Sequence, residues 1–306
     1  MRSIDDLKRW KSYGFNMTPI IDGSKAPGIK VGDKWKHDWT DQELLKSERI
    51  GFFHKESNVF TVDFDDKSYV SHGYINLLPY SFTDGKVGKD IGAVATHRTY
   101  KINGHGALNF KYPAVKSKEG GLLIETLSNK QTVFHGGDRK IFVDVEPKEV
   151  DLKLLEDRLG LICFMTEVEK AWVKDGQRDE AHLRLAGALA RLPEDRFPDE
   201  ILVKAVEHLC DRTDDREIKN RTNKITYQRK QLKNGKEIFG ITKLKKFLGD
   251  VDLAAYSLLI DQSEQEELQE QEIDKDPKEY PLIDGLTFDT IEYPKVNLIV
   301  DPIIPE

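Results

Sequence analysis

Asp63 and Asp65, in the run Val62-Asp63-Phe64-Asp65, have the spacing in this chain that most clearly suggests chemistry. Successive side chains on a strand point to opposite faces, so residues two apart share one face. Val62 and Phe64 would then face a core, while the two carboxylates stand together on the other side. Such a pair of like charges is costly unless a cation lies between them, and carboxylate oxygens suit Mg²⁺ or Mn²⁺. The alternative is an exposed strand edge with solvated acids.

A third acid, Glu125, stands alone in the apolar run 122–127, which predicts another strand. If this strand lies beside the one that holds Asp63 and Asp65, the three carboxylates can converge. A site with two metal ions of this kind is used for nucleotidyl transfer. The sequence therefore predicts Asp63, Asp65 and Glu125 as the metal-binding and catalytic residues.

The composition excludes several classes of protein. The chain has 306 residues, of which 38% are hydrophobic and 33% charged, as expected for a globular protein. No apolar run approaches the ~20 residues of a membrane span, and the N-terminus lacks the apolar segment of a signal peptide. Cys163 and Cys210 are the only cysteines, without the spacing of a zinc motif. These features predict a cytoplasmic protein with no membrane partner and no zinc.

The net charge of −7 is unevenly distributed. Residues 251–306 contain 15 acids and 3 bases, so the preceding 250 residues have a net charge of +5. Bases are concentrated between Arg212 and Lys246. The net positive charge of residues 1–250 favours a polyanionic partner such as nucleic acid. The alternative is a basic helix face that is simply solvated.

The order of apolar runs predicts an α+β fold with three regions. Residues 1–150 contain short apolar runs separated by turns, which predicts a largely antiparallel sheet. Within this region, Thr40 to Glu43 forms a capping-box pattern, and the runs 50–53 and 59–64 suggest a hairpin across residues 54–58. Residues 151–250 have a period of 3.6, which predicts an all-helical domain. Residues 251–306 predict an acidic linker or tail.

Several short motifs occur in a defined order and resemble a known family. They are Pro19, Lys25-Ala26-Pro27, Trp35 and Trp39, Thr40-Asp41, Ile50-Gly51, Val62-Asp63-Phe64-Asp65, and Ile124-Glu125-Thr126-Leu127 followed by a polar turn and a second strand. This order resembles the bifunctional primase-polymerase (prim-pol) domain of the archaeo-eukaryotic primase superfamily, of phage or plasmid type. Residues 151–250 resemble the small helical domain that follows such cores. Residues 294–306 look like the lead-in to a RecA-like ATPase, although the sequence contains no phosphate loop.

The resemblance implies an RRM-like antiparallel catalytic core followed by a small helical domain involved in template binding or initiation. It also implies a DNA primase or DNA-directed polymerase that makes or extends primers on single-stranded DNA. Two Mg²⁺ or Mn²⁺ ions, a nucleoside or deoxynucleoside triphosphate and a fused or associated helicase are the implied cofactors and partners. Two other classes remain open, a two-metal nuclease and a non-catalytic replication-initiator or nucleic-acid-binding module.

The family commonly binds the incoming triphosphate through the histidine, or a basic residue, of a Ser-x-His or Gly-Gly-x-His-like element. No Ser-x-His occurs in the corresponding stretch 96–111. His105, between two glycines, is the first candidate for this role because the backbone can approach closely there. Arg98, Lys111 and His97 are alternatives in the same stretch, and His135 follows on the strand after Glu125.

Basic residues in two regions are candidates for contacting DNA. The predicted set is Lys25, Arg216, Arg221, Lys224 and Arg229. Lys25 lies in the early loop, and the other four lie in the predicted helical domain. Exposed aromatic residues such as Trp35 or Tyr112 would offer stacking surfaces for single-stranded bases.

Overall fold

In the computed structural model, two main antiparallel sheets and short helices form the first part of the chain. The structure describes residues 2–21, 26, 28, 30–31, 34–36, 38–65, 70–90, 92–104, 106–113, 123–173 and 176–260. The elements of the first part are α1 Ile4–Ser12, β1 Met17–Ile20, β2 Lys30–Val31, β3 Lys34–Trp35, α2 Asp41–Lys46, β4 Arg49–Phe53, α3 His54–Ser57, β5 Val59–Phe64, α4 Val70–Gly73, a 3₁₀ turn Tyr74–Leu77, β6 Phe82–Gly88, β7 Gly92–Lys101, β8 Lys111–Tyr112, β9 Ile124–Leu127, β10 Gln131–His135 and β11 Arg139–Val143.

The second part of the described chain is helical, as predicted. Its elements are α5 Leu152–Lys170, α6 Arg178–Ala190, α7 Asp199–Arg212, α8 Ile218–Lys233, α9 Ile241–Phe247 and a 3₁₀ turn Ala254–Leu258. The change from strands to helices falls between β11 and α5, next to the predicted boundary at residue 150. No helix among the described residues is long and apolar enough to cross a membrane.

The strand order confirms a mixed α+β fold with antiparallel sheets. The larger sheet has the order β11-β6-β7-β5-β9-β8, and the smaller sheet has the order β1-β4-β10. The predicted hairpin between β4 and β5 is wrong, because these strands belong to different sheets. Between them α3 makes one helical turn, and Asn58 ends it in the left-handed conformation with φ 53°. That turn directs the chain from one sheet to the other.

Local sequence signals explain where several helices begin. Thr40 forms the predicted capping box, since its hydroxyl accepts a hydrogen bond from Glu43 N and the Glu43 carboxylate accepts one from Thr40 N. Such caps satisfy amide groups that have no partner within the helix. Ser3 and Asp6 form the same arrangement at the start of α1, and Asp151 caps α5.

Aromatic side chains fill the space between the two main sheets. Phe52 of β4 stacks on Phe15 with ring centroids 4.5 Å apart, and Phe134 of β10 lies edge-on to Trp10 at 5.1 Å. Phe82 of β6 packs into the same cluster from the larger sheet. Because alternate residues share a face, the side chain of Asp84 also projects from the side of the larger sheet that faces the smaller one.

The opposite face of the larger sheet is covered by α4 and the turn that follows it. His72 of α4 bonds to the carbonyl of Phe64 at 3.0 Å, and Tyr100 donates its hydroxyl proton to Pro79 O at 2.8 Å. Tyr74 reaches α5 by donating to a carboxylate oxygen of Glu169 at 2.9 Å. These contacts join the sheet to the helices, and the residues up to 261 form one compact unit.

The predicted start of the tail at residue 251 is too early. Leu253, Ala255, Tyr256 and Leu259 are buried, and the turn Ala254–Leu258 packs on α5. The hydroxyl of Tyr256 donates to Ala188 O of α6 at 3.1 Å. This segment therefore belongs to the packed helical part. The predicted acidic linker to a helicase otherwise concerns residues 261–306, which lie outside the described residues.

Candidate active site

A row of polar side chains crosses the larger sheet on its face toward the smaller sheet. The strand register places Asp63 of β5 directly opposite Glu125 of β9 on one side and His97 of β7 on the other. The row extends to Asp84 of β6 and to Lys111 of the edge strand β8. Directly opposed residues of antiparallel strands have their side chains on the same face. We call Asp84, His97, Asp63, Glu125 and Lys111 the polar row.

Asp65 extends this site beyond the end of β5. Its N–H donates to the carbonyl of Leu123 at 3.1 Å, which continues the ladder between β5 and β9 past Phe64. Asp65 is exposed, and continued alternation from Asp63 would place its side chain on the same side. The structure thus brings Asp63 and Glu125 to one face of the sheet, with Asp65 at the same end.

His97 connects two carboxylates of the polar row. Its Nδ1 lies 2.8 Å from Asp84 Oδ1, and its Nε2 lies 3.2 Å from Asp63 Oδ1. Burial lowers the pKa of His97, but Asp84 and Asp63 outweigh this and raise the pKa to about 9. The imidazolium present at neutral pH donates from both nitrogens, so it holds the Asp63 carboxylate and partly neutralises it.

A β-bulge shapes the sheet next to His97. The register between β6 and β7 shifts after Asp84, so that Thr96 is the extra residue on β7. Arg139 of β11 donates to Thr96 Oγ1 at 3.0 Å, and its Nη1 lies 3.8 Å from Asp84 Oδ1. Gly85 is required at this point, because an added Cβ would lie 2.0 Å from the carbonyl oxygen of Val94.

The neutral side chain of His54 is hydrogen-bonded to β5, one of the strands that carry the polar row. His54 Nδ1 donates to Lys130 O at 2.7 Å, and Nε2 accepts from the hydroxyls of Thr61 and Thr132 at 3.0 and 3.1 Å. Burial is the main cause that lowers the pKa of His54 to about 4. Thr61 also bonds to Thr99 at 2.9 Å. Thr61 lies two residues before Asp63 on β5. This network therefore links β5 to β7 close to the polar row.

The predicted triphosphate ligands separate into three groups. His97 and Lys111 lie in the polar row, and Lys111 is exposed at the sheet edge. His105, the first candidate, lies outside the described residues. The other two, Arg98 and His135, lie away from the three acids.

The assignment of Arg98 is corrected by the alternation of side chains along β7. Arg98 follows His97 and points to the opposite face, where it is buried. Its guanidinium donates to Ile75 O at 2.9 Å, Leu78 O at 3.0 Å and Thr83 Oγ1 at 3.0 Å. Arg98 therefore holds the segment that covers the back of the sheet and does not reach a nucleotide bound beside Asp63.

The assignment of His135 is corrected by strand order. His135 ends β10 in the smaller sheet, where its ring lies 5.2 Å from that of Trp10. Burial is the main cause that lowers its pKa, and the nearby Arg2 contributes. His135 is thus part of the packing around α1.

Three of the predicted DNA contacts are corrected because they are structural ion pairs. Arg221 is 6% exposed and pairs with Asp215 at 3.0 Å, Lys224 pairs with Asp179 at 2.8 Å, and Arg229 pairs with Asp199. Arg216 differs, since its side chain is 89% exposed. Lys25, the fifth prediction, lies outside the described residues, and nothing is described for the side chain of Trp35.

The exposed side of α8 has a different set of residues. Lys219, Asn223, Tyr227 and Lys230 are exposed and spaced three or four residues apart, so they share one side of the helix. Tyr227 is 55% exposed. Helix α8 contains no acidic residue between Ile218 and Lys233. We call these four residues the α8 outer face. These four residues are not among the predicted DNA contacts, because total charge does not tell which bases are already paired.

A second group of potential metal ligands lies among the helices. His182 of α6, Cys210 of α7 and Asp215 are buried, and their ligand atoms all lie within 4.8 Å of one another. This group could hold a metal ion, although cysteine is not a typical ligand of Mg²⁺ or Mn²⁺. Among the described residues it is the one group of three or more ligands that is so tightly spaced. The acids of the sheet are therefore spread more widely.

Comparisons with known proteins do not identify the chain. No protein-family model matches it, and no curated protein sequence matches it. The structure establishes an α+β fold with antiparallel sheets. The resemblance to the prim-pol family rests on the order of the sequence motifs.

Proposed function

We propose that this protein is a template-dependent nucleotidyltransferase, a DNA primase or DNA polymerase of the prim-pol type. The observation that supports this most directly is the register between β5 and β9, which sets Asp63 opposite Glu125. Asp65 follows two residues after Asp63. Carboxylates gathered on one face of a sheet are a ligand set that can hold the divalent ions used in phosphoryl transfer.

The donor set fits Mg²⁺ or Mn²⁺, because all three side chains offer hard carboxylate oxygens. Their spread beyond a single tight cluster is compatible with two ions, which in such sites lie ~3.5–4 Å apart. Ions bound there would activate the primer 3′-hydroxyl and neutralise charge on the triphosphate. Asp63, Asp65 and Glu125 would hold these ions.

The residues on either side of the acids have distinct roles in this proposal. His97 holds the Asp63 carboxylate through Nε2 and so limits its rotation. Lys111, exposed opposite Glu125, presents a positive charge where the β- and γ-phosphates of a nucleotide would lie. Positioning and charge stabilisation of this kind account for most of the catalysis in phosphoryl transfer.

The α8 outer face is proposed as the surface for single-stranded template. Lys219 and Lys230 would contact phosphates, Asn223 offers hydrogen bonds, and the exposed ring of Tyr227 can stack on a base. The same surface also suits a non-catalytic nucleic-acid-binding module. The polymerase and the binding module differ in whether the polar row catalyses nucleotide transfer.

The decisive experiment compares wild type, Asp63→Asn and Asp90→Asn on single-stranded DNA with labelled nucleotides and Mg²⁺ or Mn²⁺. Asp90 is a matched control, since it is exposed in the turn between β6 and β7. We expect primer synthesis or extension by wild type and Asp90→Asn. For Asp63→Asn the loss should exceed the roughly 10–100-fold caused by removing an outer partner of a metal ligand.

The same reactions separate the alternative functions. Cleavage of labelled DNA without nucleotide incorporation, abolished by Asp63→Asn, would identify a two-metal nuclease. DNA binding by wild type without either reaction would identify a non-catalytic binding module. Either outcome rejects the polymerase proposal.

A further inference from the structure

His182, Cys210 and Asp215 come from three separate parts of the helical region. His182 lies in the second turn of α6, Cys210 near the end of α7, and Asp215 in the connection between α7 and α8. All three are at most 5% exposed. An imidazole, a thiol and a carboxylate have been brought together in the interior, although the carboxylate in particular is costly to bury.

The contact between His182 and Asp215 is longer than a good hydrogen bond, whereas the contact between His182 and Cys210 is within hydrogen-bond range for sulfur. His182 Nε2 lies 3.4 Å from Asp215 Oδ2 and 3.8 Å from Cys210 Sγ. A nitrogen–oxygen hydrogen bond is normally about 2.7–3.2 Å long. Two ligands on one tetrahedral zinc ion lie roughly 3.4 Å apart for nitrogen and oxygen and roughly 3.6 Å apart for nitrogen and sulfur, given the usual zinc–ligand bond lengths. The separation of His182 and Asp215 therefore matches two ligands of a shared ion better than a direct hydrogen bond, and the separation of His182 and Cys210 fits either arrangement.

The surroundings hold the carboxylate in place for such a role. Asp215 Oδ1 accepts the N–H of Glu217 at 3.0 Å, and Oδ2 accepts Nε of Arg221 at 3.0 Å. Hydrogen bonds from outer residues orient metal ligands in this way. When Nε2 binds an ion, the ring proton of His182 would lie on Nδ1, which has no hydrogen-bond partner among the described residues.

We propose that His182, Cys210 and Asp215 form a structural binding site for a zinc-class divalent ion. Cys210 would bind as the thiolate and release its proton to solvent. The thiolate would then add one negative charge at the ion, while the charge of Asp215 is shared with Arg221. The fourth position is left to a small ligand such as water. The ion would fasten α6 and α7 to the start of α8, which presents the α8 outer face. The site shares no residue with the polar row, so it stands independently of the proposed polymerase activity.

The test uses Co²⁺ as a spectroscopic probe of the full chain after removal of metal by a chelator. We expect one equivalent of Co²⁺ to produce a thiolate-to-cobalt charge-transfer band, and Zn²⁺ to displace it. Cys163→Ser is the matched control, because Cys163 is equally buried but lies in α5. The band should persist in Cys163→Ser and in Asp63→Asn, and should be lost in Cys210→Ser.

A second measurement keeps the proposal testable if Cys210→Ser does not fold. Zn²⁺ content of the wild type and of Asp215→Asn is measured by atomic emission after gel filtration, and the thermal midpoint of the wild type is followed with and without Zn²⁺. One bound Zn²⁺ and a raised midpoint, with less metal retained by Asp215→Asn, support the site. Folded wild type that gives no charge-transfer band and retains no Zn²⁺ overturns it, as does a band that survives in folded Cys210→Ser.

Discussion

Asp84 and His97 face each other on neighbouring strands, and Asp84 Oδ1 lies 2.8 Å from Nδ1 of His97. Asp84 is fully buried, and its other carboxylate oxygen has no hydrogen-bond partner among the described residues. A carboxylate with so little other bonding is expensive to bury. Its effect is to fix the imidazole so that Nε2 points at Asp63, which gives the candidate catalytic carboxylate a rigid support.

The first prediction concerns Asp84→Asn, which keeps the size of the side chain but removes the charge that holds His97. We expect the nucleotidyl-transfer rate to fall about 10–100-fold, as for other outer partners of metal-binding residues. DNA affinity should stay unchanged, because the α8 outer face is untouched. Steady-state kinetics together with DNA binding by fluorescence anisotropy check this. Wild-type rates in a folded Asp84→Asn protein would show that Asp84 does not support the site.

The second prediction concerns the α8 outer face. The double variant Lys219→Gln, Lys230→Gln should bind single-stranded DNA more weakly at low salt. Because each phosphate contact contributes a slope of about 0.7 for single strands, the plot of log affinity against log salt should flatten by about 1.4. The control is Lys8→Gln, Lys55→Gln, which removes two exposed charges from α1 and α3. An equal loss in both double variants would indicate nonspecific charge attraction.

The third prediction separates the structural role of Arg98 from a catalytic one. Arg98→Leu leaves Ile75 O, Leu78 O and Thr83 Oγ1 without their donor. Since a hydrogen bond to a charged group contributes ~1.5–3 kcal/mol, we expect the free energy of unfolding to fall by about 3 kcal/mol or more. Urea denaturation measures this. The specific activity of the folded fraction should remain near that of the wild type. A large loss of activity at unchanged stability would show that Arg98 acts in the active site.

The fourth prediction is a pH dependence caused by His54. Its pKa is about 4 in the folded protein, against 6.5 for an ordinary histidine. Between these values the unfolded chain binds the proton more readily, so the free energy of unfolding decreases as the pH falls from 6.5 to 4. The loss from this one group is about 3 kcal/mol over that range. Urea denaturation at pH 7 and pH 4 should show a smaller difference for His54→Gln, and an equal difference would contradict the assignment.

Local sequence was sufficient for the elements and for part of the site. The two-residue spacing of Asp63 and Asp65, the lone acid Glu125 in its apolar run, and the capping box at Thr40 are short-range patterns. They depend on side-chain alternation and on hydrogen bonds within one turn, which need no knowledge of distant residues. For the same reason the helical period after residue 151 identified the helical region.

Partners distant in sequence could not be found in this way. Asp84 went unnoticed, because nothing local distinguishes a buried acid from a solvated one. Arg98 and His97 are neighbours in sequence, yet the alternation on β7 sends them to opposite faces. Arg221 and Arg229 contributed to the same basic run as Lys219 and Lys230, but their partners Asp215 and Asp199 are supplied by other segments.

The sequence by itself determined the types of element, the acids available for metal binding and the overall distribution of charge. Tertiary structure decided which side chains meet, namely Asp63 with Glu125 and His97 on the sheet, and His182 with Cys210 and Asp215 among the helices. The physical reason is that strand register and helix packing are set by burial of the whole apolar surface. That quantity is summed over the fold and is not encoded in any single segment.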